Sequence, residues 1–448
     1  MPVKYHSVFE FGYLCTDANV GERLGYTVIS VSDFEYLEKR CLSESCADFS
    51  QIIQLRIKHG CKLLQVQNYA GVIFVPSGSH IEVLPKTGKN VVQDKETLIA
   101  ARKTLIAMLQ ALNGFRHLSL DRVGTETLKM PLLEIFISEF LRGVNHVVKY
   151  GLRSDYIRRE DNVFAKKGKL QIGKQLRHNT FRQHKFYCEY DEYLHDRPIN
   201  RVLKTALLKV EKYCFQYRNQ KLLHELLFAF DEVSVSKNPK SDITFLHVER
   251  GMTYYKDALN WAKLIILGLS PTGIKGNIDS PSLLFPMESL FEAYVEKMLR
   301  KQLKDGYVLR SQSSQKRLVS YKGGDHNKGM FTLKPDLMVE SDNCQPLCVL
   351  DTKWKLIDAK DSINRFGLSQ SDFYQMFAYG QKYLGGKGVL ALIYPATQMF
   401  SAPLEGYFEF TSELRLWVLP FHINTHGRLG LDTPAGNDFF FLKQTTNL

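Results

Sequence analysis

Two neighbouring segments decide how this chain reads: Leu333-Lys334-Pro335-Asp336-Leu337-Met338-Val339 and Leu347-Cys348-Val349-Leu350-Asp351-Thr352-Lys353-Trp354-Lys355. Both carry the apolar runs of a strand. Between them, Glu340-Ser341-Asp342-Asn343-Cys344-Gln345-Pro346 is a polar turn, so the pair reads as a hairpin of adjacent strands. Side chains two apart on a strand face the same side, which puts Val349, Asp351 and Lys353 on one face and Leu350 and Thr352 on the other. Asp336 follows a proline on the partner strand, within reach across the hairpin. An acid and an amine after an apolar run are costly to bury unless they are paired or hold a metal.

Phosphodiester hydrolysis calls for this set. Two carboxylates, Asp336 and Asp351, hold a hard divalent cation through oxygen, Mg2+ first and Mn2+ as a substitute. The cation neutralises charge developing on phosphate and lowers the pKa of a bound water. Lys353 places a positive charge beside the scissile phosphate and orients or deprotonates that water. The bland alternative is a surface Asp–Lys pair on an edge strand, contributing about 0–1 kcal/mol.

Working outward, the helix expected over 287–303 carries Glu288, Glu292 and Glu296 at i,i+4 spacing. They form either a solvated acidic stripe or a metal-associated face, with Glu292 the choice for the metal. Past the hairpin, Asp372-Phe373-Tyr374-Gln375-Met376-Phe377-Ala378-Tyr379 puts Asp372, Gln375 and Tyr379 on one side of a helix expected over 369–384, and a strand follows at 388–394. Gln375 either packs helix against sheet or bonds the phosphate or water. Helix, strands, helix and strand in this order make an α/β layer.

The pattern PD…DxK, with fourteen residues between the two aspartates, resembles the PD-(D/E)xK nuclease superfamily. Further blocks extend the likeness: Ile81-Glu82-Val83-Leu84-Pro85-Lys86, Lys167-Gly168-Lys169-Leu170, Arg177-His178-Asn179, Cys188-Glu189-Tyr190-Asp191-Glu192, Asn200-Arg201-Val202-Leu203-Lys204 and Leu290-Phe291-Glu292. With them the chain resembles the McrC family, the nuclease subunits of McrBC-type modification-dependent restriction systems, from about residue 70 to 395. The first 60 residues match no block of that pattern. The resemblance implies Asp336, Asp351, Lys353 and Gln375 as catalytic residues. It implies a metal held by Asp336, Asp351, Glu292 and the backbone carbonyl of Thr352. It also implies an McrB-like AAA+ GTPase partner, contacted through residues 1–150 or so, that reads modified cytosine in double-stranded DNA. No GxxxxGK(S/T) loop occurs in this chain, so nucleotide hydrolysis is expected of the partner and no nucleotide site here. Cutting both strands needs two such sites, hence an expectation of nuclease-domain dimerisation on DNA. Two other readings stay open: a stand-alone DNA repair nuclease, and an inactive nuclease fold serving as a DNA-binding assembly subunit.

The rest of the chain divides by pattern into a strand-rich segment 1–90, a mostly helical segment 91–275 and the nuclease segment 276–448. In the first, 26–31, 71–75 and 81–84 read as strands, Pro76-Ser77-Gly78 as a turn, and 33–41 and 48–59 as short helices. In the second, apolar spacings of three and four predict helices over 95–112, 132–147 and 200–217. Breakers in 270–281 mark the boundary to the third. Between two of the helices, 149–185 holds eleven Lys/Arg against three acids, interleaved with Tyr156, Phe164 and Phe181. That stretch suits a phosphate backbone, a motor contact or a solvated surface equally. Glu189, Asp191 and Glu192 are expected to pair with arginines such as Arg197 and Arg201 rather than to hold a second metal.

Over 448 residues the net charge is +12, a moderate hint of a polyanionic partner. The eight cysteines include no CxxC pair, which points to free thiols and no structural zinc. Met1–Tyr13 lacks a signal-peptide pattern, and the longest apolar runs are too short to cross a bilayer, so a cytoplasmic protein without membrane contact is expected.

Overall fold

Strands Leu337–Ser341 and Pro346–Thr352 pair antiparallel, with Leu337 opposite Leu350 and Met338 opposite Val349, and so form the expected hairpin. The computed structural model describes residues 5–43, 47–75, 77–86, 88, 94–112, 130–246, 250–267, 282–313, 316–323, 326–425, 428–434, 436 and 438–443. The hairpin sits inside a seven-stranded mixed sheet. Tyr307–Ser311 flanks it on one side, and on the other come Gly388–Pro395, Leu414–Thr425 and then Phe408–Thr411 and Arg428–Leu431. Pro346–Thr352, Gly388–Pro395 and Leu414–Thr425 run parallel, and the helix Gln370–Tyr383 makes the first crossover. Met338, Val349, Met376, Tyr379, Leu390, Leu392 and Tyr394 share the core between that helix and the sheet.

The chain folds as two units, one built from Met1–Leu132 with Ser270–Leu448 and the other from Leu133–Leu269. The three segments expected from pattern therefore do not map singly onto the units. The helix Lys95–Leu109, expected in the middle segment, lies in the first unit against the helix Met287–Gln302. The breaker-rich span 270–281, like Pro76, falls outside the described residues. In the first unit, Tyr5–Phe9, His80–Leu84 and Tyr69–Phe74 form a four-stranded sheet completed by Ser282–Pro286 from far along the chain. A second small sheet, Thr27–Val28, Tyr13–Cys15, Cys61–Val66 and Ile53–Lys58, shares its apolar core with the first and with the helix Val31–Leu42. Buried Glu82 ties this region together, accepting both Nε and Nη2 of Arg102 at 2.6 and 2.8 Å.

Residues 48–59, expected as a helix, form only the short helix Ala47–Ser50 before the strand Ile53–Lys58. Ile53, Leu55 and Ile57 alternate with Gln54, Arg56 and Lys58, a period of two that outweighs the helical spacing. The expected strand 26–31 shrinks to Thr27–Val28, because Ser30 caps the following helix by accepting the Asp33 N–H. The second unit is helical at Leu132–Tyr150, Pro198–Glu211, Tyr217–Ala229 and Lys256–Leu267. Its basic stretch is built from strands and a helix. Asp155–Val163, Phe186–Leu194 and Lys169–Leu170 form a three-stranded sheet, with the helix Ile172–Asn179 between. Glu189 pairs with Arg158 and Glu192 with Arg159, each at 3.0 Å across the sheet, whereas Arg197 and Arg201 go to Asp155 and Asp196. The cysteines among the described residues are free, and no described helix is long and apolar enough to cross a membrane.

Gly71 joins the ends of the first unit. Its φ of +139° is closed to most side chains, and a Cβ there would lie 1.9 Å from the Leu283 carbonyl oxygen. Gly71→Ala should cost about 2 kcal/mol or more and lower the thermal midpoint by several degrees. An unchanged melting curve would show that this close approach is relaxed at no cost.

Candidate active site

Asp336 lies in the bend just before Leu337–Ser341, against the end of Pro346–Thr352. One carboxylate oxygen, Oδ2, accepts the Thr352 N–H at 2.8 Å and the Thr352 hydroxyl at 2.7 Å. The Asp336 backbone carbonyl in turn accepts the Gln312 N–H at 2.8 Å. Asp336 is thus held at both ends while its other carboxylate oxygen stays clear of Thr352. Thr352 reaches the site through these two donors.

Asp351 is the buried member, at 1% exposure. Lys353 Nζ lies 2.5 Å from its Oδ2, as the shared strand face predicts. Its Oδ1 is buried and has no hydrogen-bond donor among the described residues. Burial, then the neighbouring Asp336 charge, pushes the Asp351 carboxyl up to about 7 against the pull of Lys353. For Lys353, burial alone would lower the pKa, but the charges of Asp351, Asp372 and Asp336 outweigh it and the amine is held above its ordinary value. Lys353 therefore stays a cation.

Gln375 comes from the crossover helix. Its Oε1 accepts Lys353 Nζ at 3.2 Å, and its Nε2 donates to the Tyr379 hydroxyl at 2.8 Å. Tyr379 passes the chain on to the Lys334 carbonyl at 3.0 Å. Asp372, on the same side of the helix, turns to Lys355 Nζ at 3.0 Å rather than to the lysine of the site. Glu292 approaches from the helix Met287–Gln302. Gln312 Nε2 donates to its Oε1 at 2.8 Å, and burial and then the Asp336 charge raise its pKa. Glu288 and Glu296 are engaged elsewhere, with Asn68 and Arg300.

Two contributors had no signal in sequence pattern. Gln312 links Glu292 and Asp336. Glu10, from the N-terminal sheet, accepts the Trp354 indole N–H at 2.8 and 2.9 Å and the Lys86 N–H at 2.7 Å. Burial pushes the Glu10 carboxyl up to about 7. The indole also lies against Phe291, with ring centroids 5.3 Å apart, next to Glu292. Both ends of the active-site segment are thereby fixed to residues far away in the sequence.

The donor set fits a hard divalent cation: carboxylate oxygens of Asp336 and Asp351, with a buried Oδ1 that nothing else satisfies, and Glu292 close enough to feel Asp336. No group of three or more His, Cys, Asp or Glu poised to hold a metal occurs among the described residues, so a bound ion would complete its shell with water or phosphate.

The family model for the McrBC 5-methylcytosine restriction system component matches residues 64–395. Among solved structures, a chain of the refined half-complex from the tetradecameric assembly of Thermococcus gammatolerans McrB AAA+ hexamers with bound McrC aligns with a TM-score of 0.66. It is 17% identical and the alignment covers 94% of this chain and 95% of that one. A chain of the cryo-EM Thermococcus gammatolerans McrBC complex aligns with a TM-score of 0.46 at 17% identity, covering 66% and 88%. No curated protein matches the chain. The first of these likenesses shows a shared α/β fold.

The raised Asp351 pKa has a sign. A carboxyl that holds its proton more tightly when folded stabilises the protein at low pH, and that contribution is lost as pH rises from the unfolded value near 3.8 toward 7. In chelator, the stability of wild type relative to Asp351→Asn should therefore fall by about 2 kcal/mol between pH 5 and pH 8. Thermal melts across that range check it, and a pH-independent difference would mean the carboxyl titrates normally.

Proposed function

The chain belongs to the McrBC 5-methylcytosine restriction system component family, and on that premise we propose that it is the subunit that cuts DNA, a divalent-metal-dependent endonuclease. The observation that carries the reading is the meeting of Asp336, Asp351, Lys353 and Gln375 at one strand end, with a buried Asp351 oxygen left without a donor. Asp336 and Asp351 would hold Mg2+, or Mn2+ in its place, with Glu292 and the Thr352 carbonyl as further ligands only if they move toward the bound ion. When bound, the cation neutralises charge building on the scissile phosphate and acidifies a water.

The protein's own groups do the positioning. Thr352 fixes the rotamer of Asp336 through two hydrogen bonds, so one oxygen is presented and the other anchored. Lys353 stays protonated beside Asp351 and offers a fixed positive charge to a phosphate oxygen, which strengthens as charge develops. Gln375 holds that ammonium in place and is itself held by Tyr379. Asp351 would lose its proton on taking up a cation, against the effect of burial and of Asp336. The partner of this reading is an AAA+ GTPase that reads modified cytosine in duplex DNA and supplies nucleotide hydrolysis; the AAA+ hexamers in the similar Thermococcus gammatolerans assembly support it.

Duplex DNA carrying 5-methylcytosine, incubated with the chain, its AAA+ partner, GTP and Mg2+, tests this. Wild type should cut, and Asp351→Ala or Asp336→Ala should cut at least about 10³-fold more slowly. Lys353→Ala should lose on the order of 10²-fold. Equal cutting by Asp351→Ala would remove the site from the chemistry. Cutting without partner or GTP would favour a stand-alone nuclease.

A further inference from the structure

The strands Lys316–Gly323 and His326–Leu333 form a two-stranded sheet of their own, separate from the seven-stranded one. In water such a ribbon is marginal alone. This one is exposed along Lys316–Lys322 and again at 329–332. Its cations Lys316, Arg317 and Lys322 have no carboxylate partner among the described residues. Val319 (47% exposed), Tyr321 (57%) and Phe331 (70%) stand in solvent beside them. Phe331 has a φ of +57°, a conformation costly for an aromatic residue, and it holds its ring outward. Strain of that kind persists where function uses it.

The base of the ribbon is fixed to the candidate active site. The Tyr383 hydroxyl is shared between the carbonyls of Ser313 and Leu333, each 2.9 Å away, where the two strands begin and end. From Leu333 the chain runs through Lys334 and Pro335 straight to Asp336, a reach of about 10 Å at most. The Lys334 carbonyl accepts from Tyr379, the residue that holds Gln375.

We propose that this ribbon is a duplex-DNA grip, laid into a groove beside the phosphate to be cut. The inference rests on the nuclease reading for its substrate. A two-stranded ribbon fits the major groove, about 12 Å wide. Lys316, Arg317 and Lys322 neutralise backbone phosphates, and Tyr321 and Phe331 pack on sugars and base edges. The exposed apolar side chains are covered only when DNA is present.

Duplex binding by the full-length chain, followed by fluorescence anisotropy in EDTA over a salt series, tests the grip without requiring cleavage. Lys316→Ala/Arg317→Ala/Lys322→Ala should bind at least ten-fold more weakly and flatten the slope of log K against log salt by about 2–3, near 0.9 per lost phosphate contact. Phe331→Ala should weaken binding with little change in slope. Melting curves of both variants should match wild type, since the altered side chains are exposed. Wild-type binding with an unchanged slope in the triple variant overturns the proposal, as does a wild-type chain that fails to bind duplex at low salt. A triple variant that keeps DNA binding but no longer associates with the AAA+ partner also overturns it, assigning the ribbon to protein contact. Because binding is read without metal, its failure is distinct from failure of the Asp351→Ala cleavage test.

Discussion

A carboxylate almost wholly out of water, with a second carboxylate beside it, is the constraint around which the first unit is organised. Burial and like charge both disfavour ionised Asp351, and Lys353 alone compensates only in part. The fold holds it there through the strands on either side. Pro346–Thr352 is a central strand with a parallel neighbour on one side and the hairpin partner on the other. Its apolar residues fix the register, and a shift of one residue would send Val349 to the wrong face. The destabilised group therefore stands at the carboxyl end of a parallel strand, where ligand sites of α/β sheets gather. On the proposed reading, a divalent ion would relieve the repulsion between Asp351 and Asp336.

The same economy explains how distant segments serve one end of one strand. The crossover helix brings Gln375 and Tyr379 because it must return the chain to a parallel neighbour. The helix Met287–Gln302 brings Glu292, and its start is set by Ser282–Pro286 adding to the N-terminal sheet, where the Met287 N–H meets the Asn68 carbonyl at 3.1 Å. From that sheet Glu10 takes the Trp354 indole N–H, one residue beyond Lys353. The N-terminal strands thus act as a brace for the segment that carries the lysine. A change there would reach the site through backbone position rather than through chemistry.

What the sequence made legible follows from which interactions are local. The hairpin, the pairing of Asp351 with Lys353 and the placement of Gln375 are consequences of strand and helix periods over a few residues. Glu10 and Gln312 were invisible because nothing periodic marks a contact spanning 344 positions, or one that depends on how a helix crosses a sheet. The strand Asp155–Val163 was hidden for another reason. Both of its faces carry charge, so no alternation of apolar and polar residues exists to be read. Its partner in the register, Phe186–Leu194, supplies the opposite charges, and only pairing of the two reveals why those residue types were chosen.

That pairing also changes what the positive charge of the chain means. By count, the stretch 149–185 is the most basic part of the protein, yet Arg158, Arg159 and Lys174 are matched by Glu189, Glu192 and Glu160. Lys167 and Lys185 lie over the rings of Tyr190 and Phe164, at 5.4 and 4.6 Å. Those five are engaged within their own sheet, whereas Lys149, Arg153, Lys166, Lys169, Arg177 and Arg182 meet no carboxylate among the described residues. The ribbon beside Asp336 has fewer cations, but Lys316, Arg317 and Lys322 face solvent without carboxylate partners among the described residues. Counterion release depends on charges free to meet phosphate, not on the total. The ribbon's claim on a polyanion therefore rests on where these three cations stand, in strands that lead into Asp336, and not on their number.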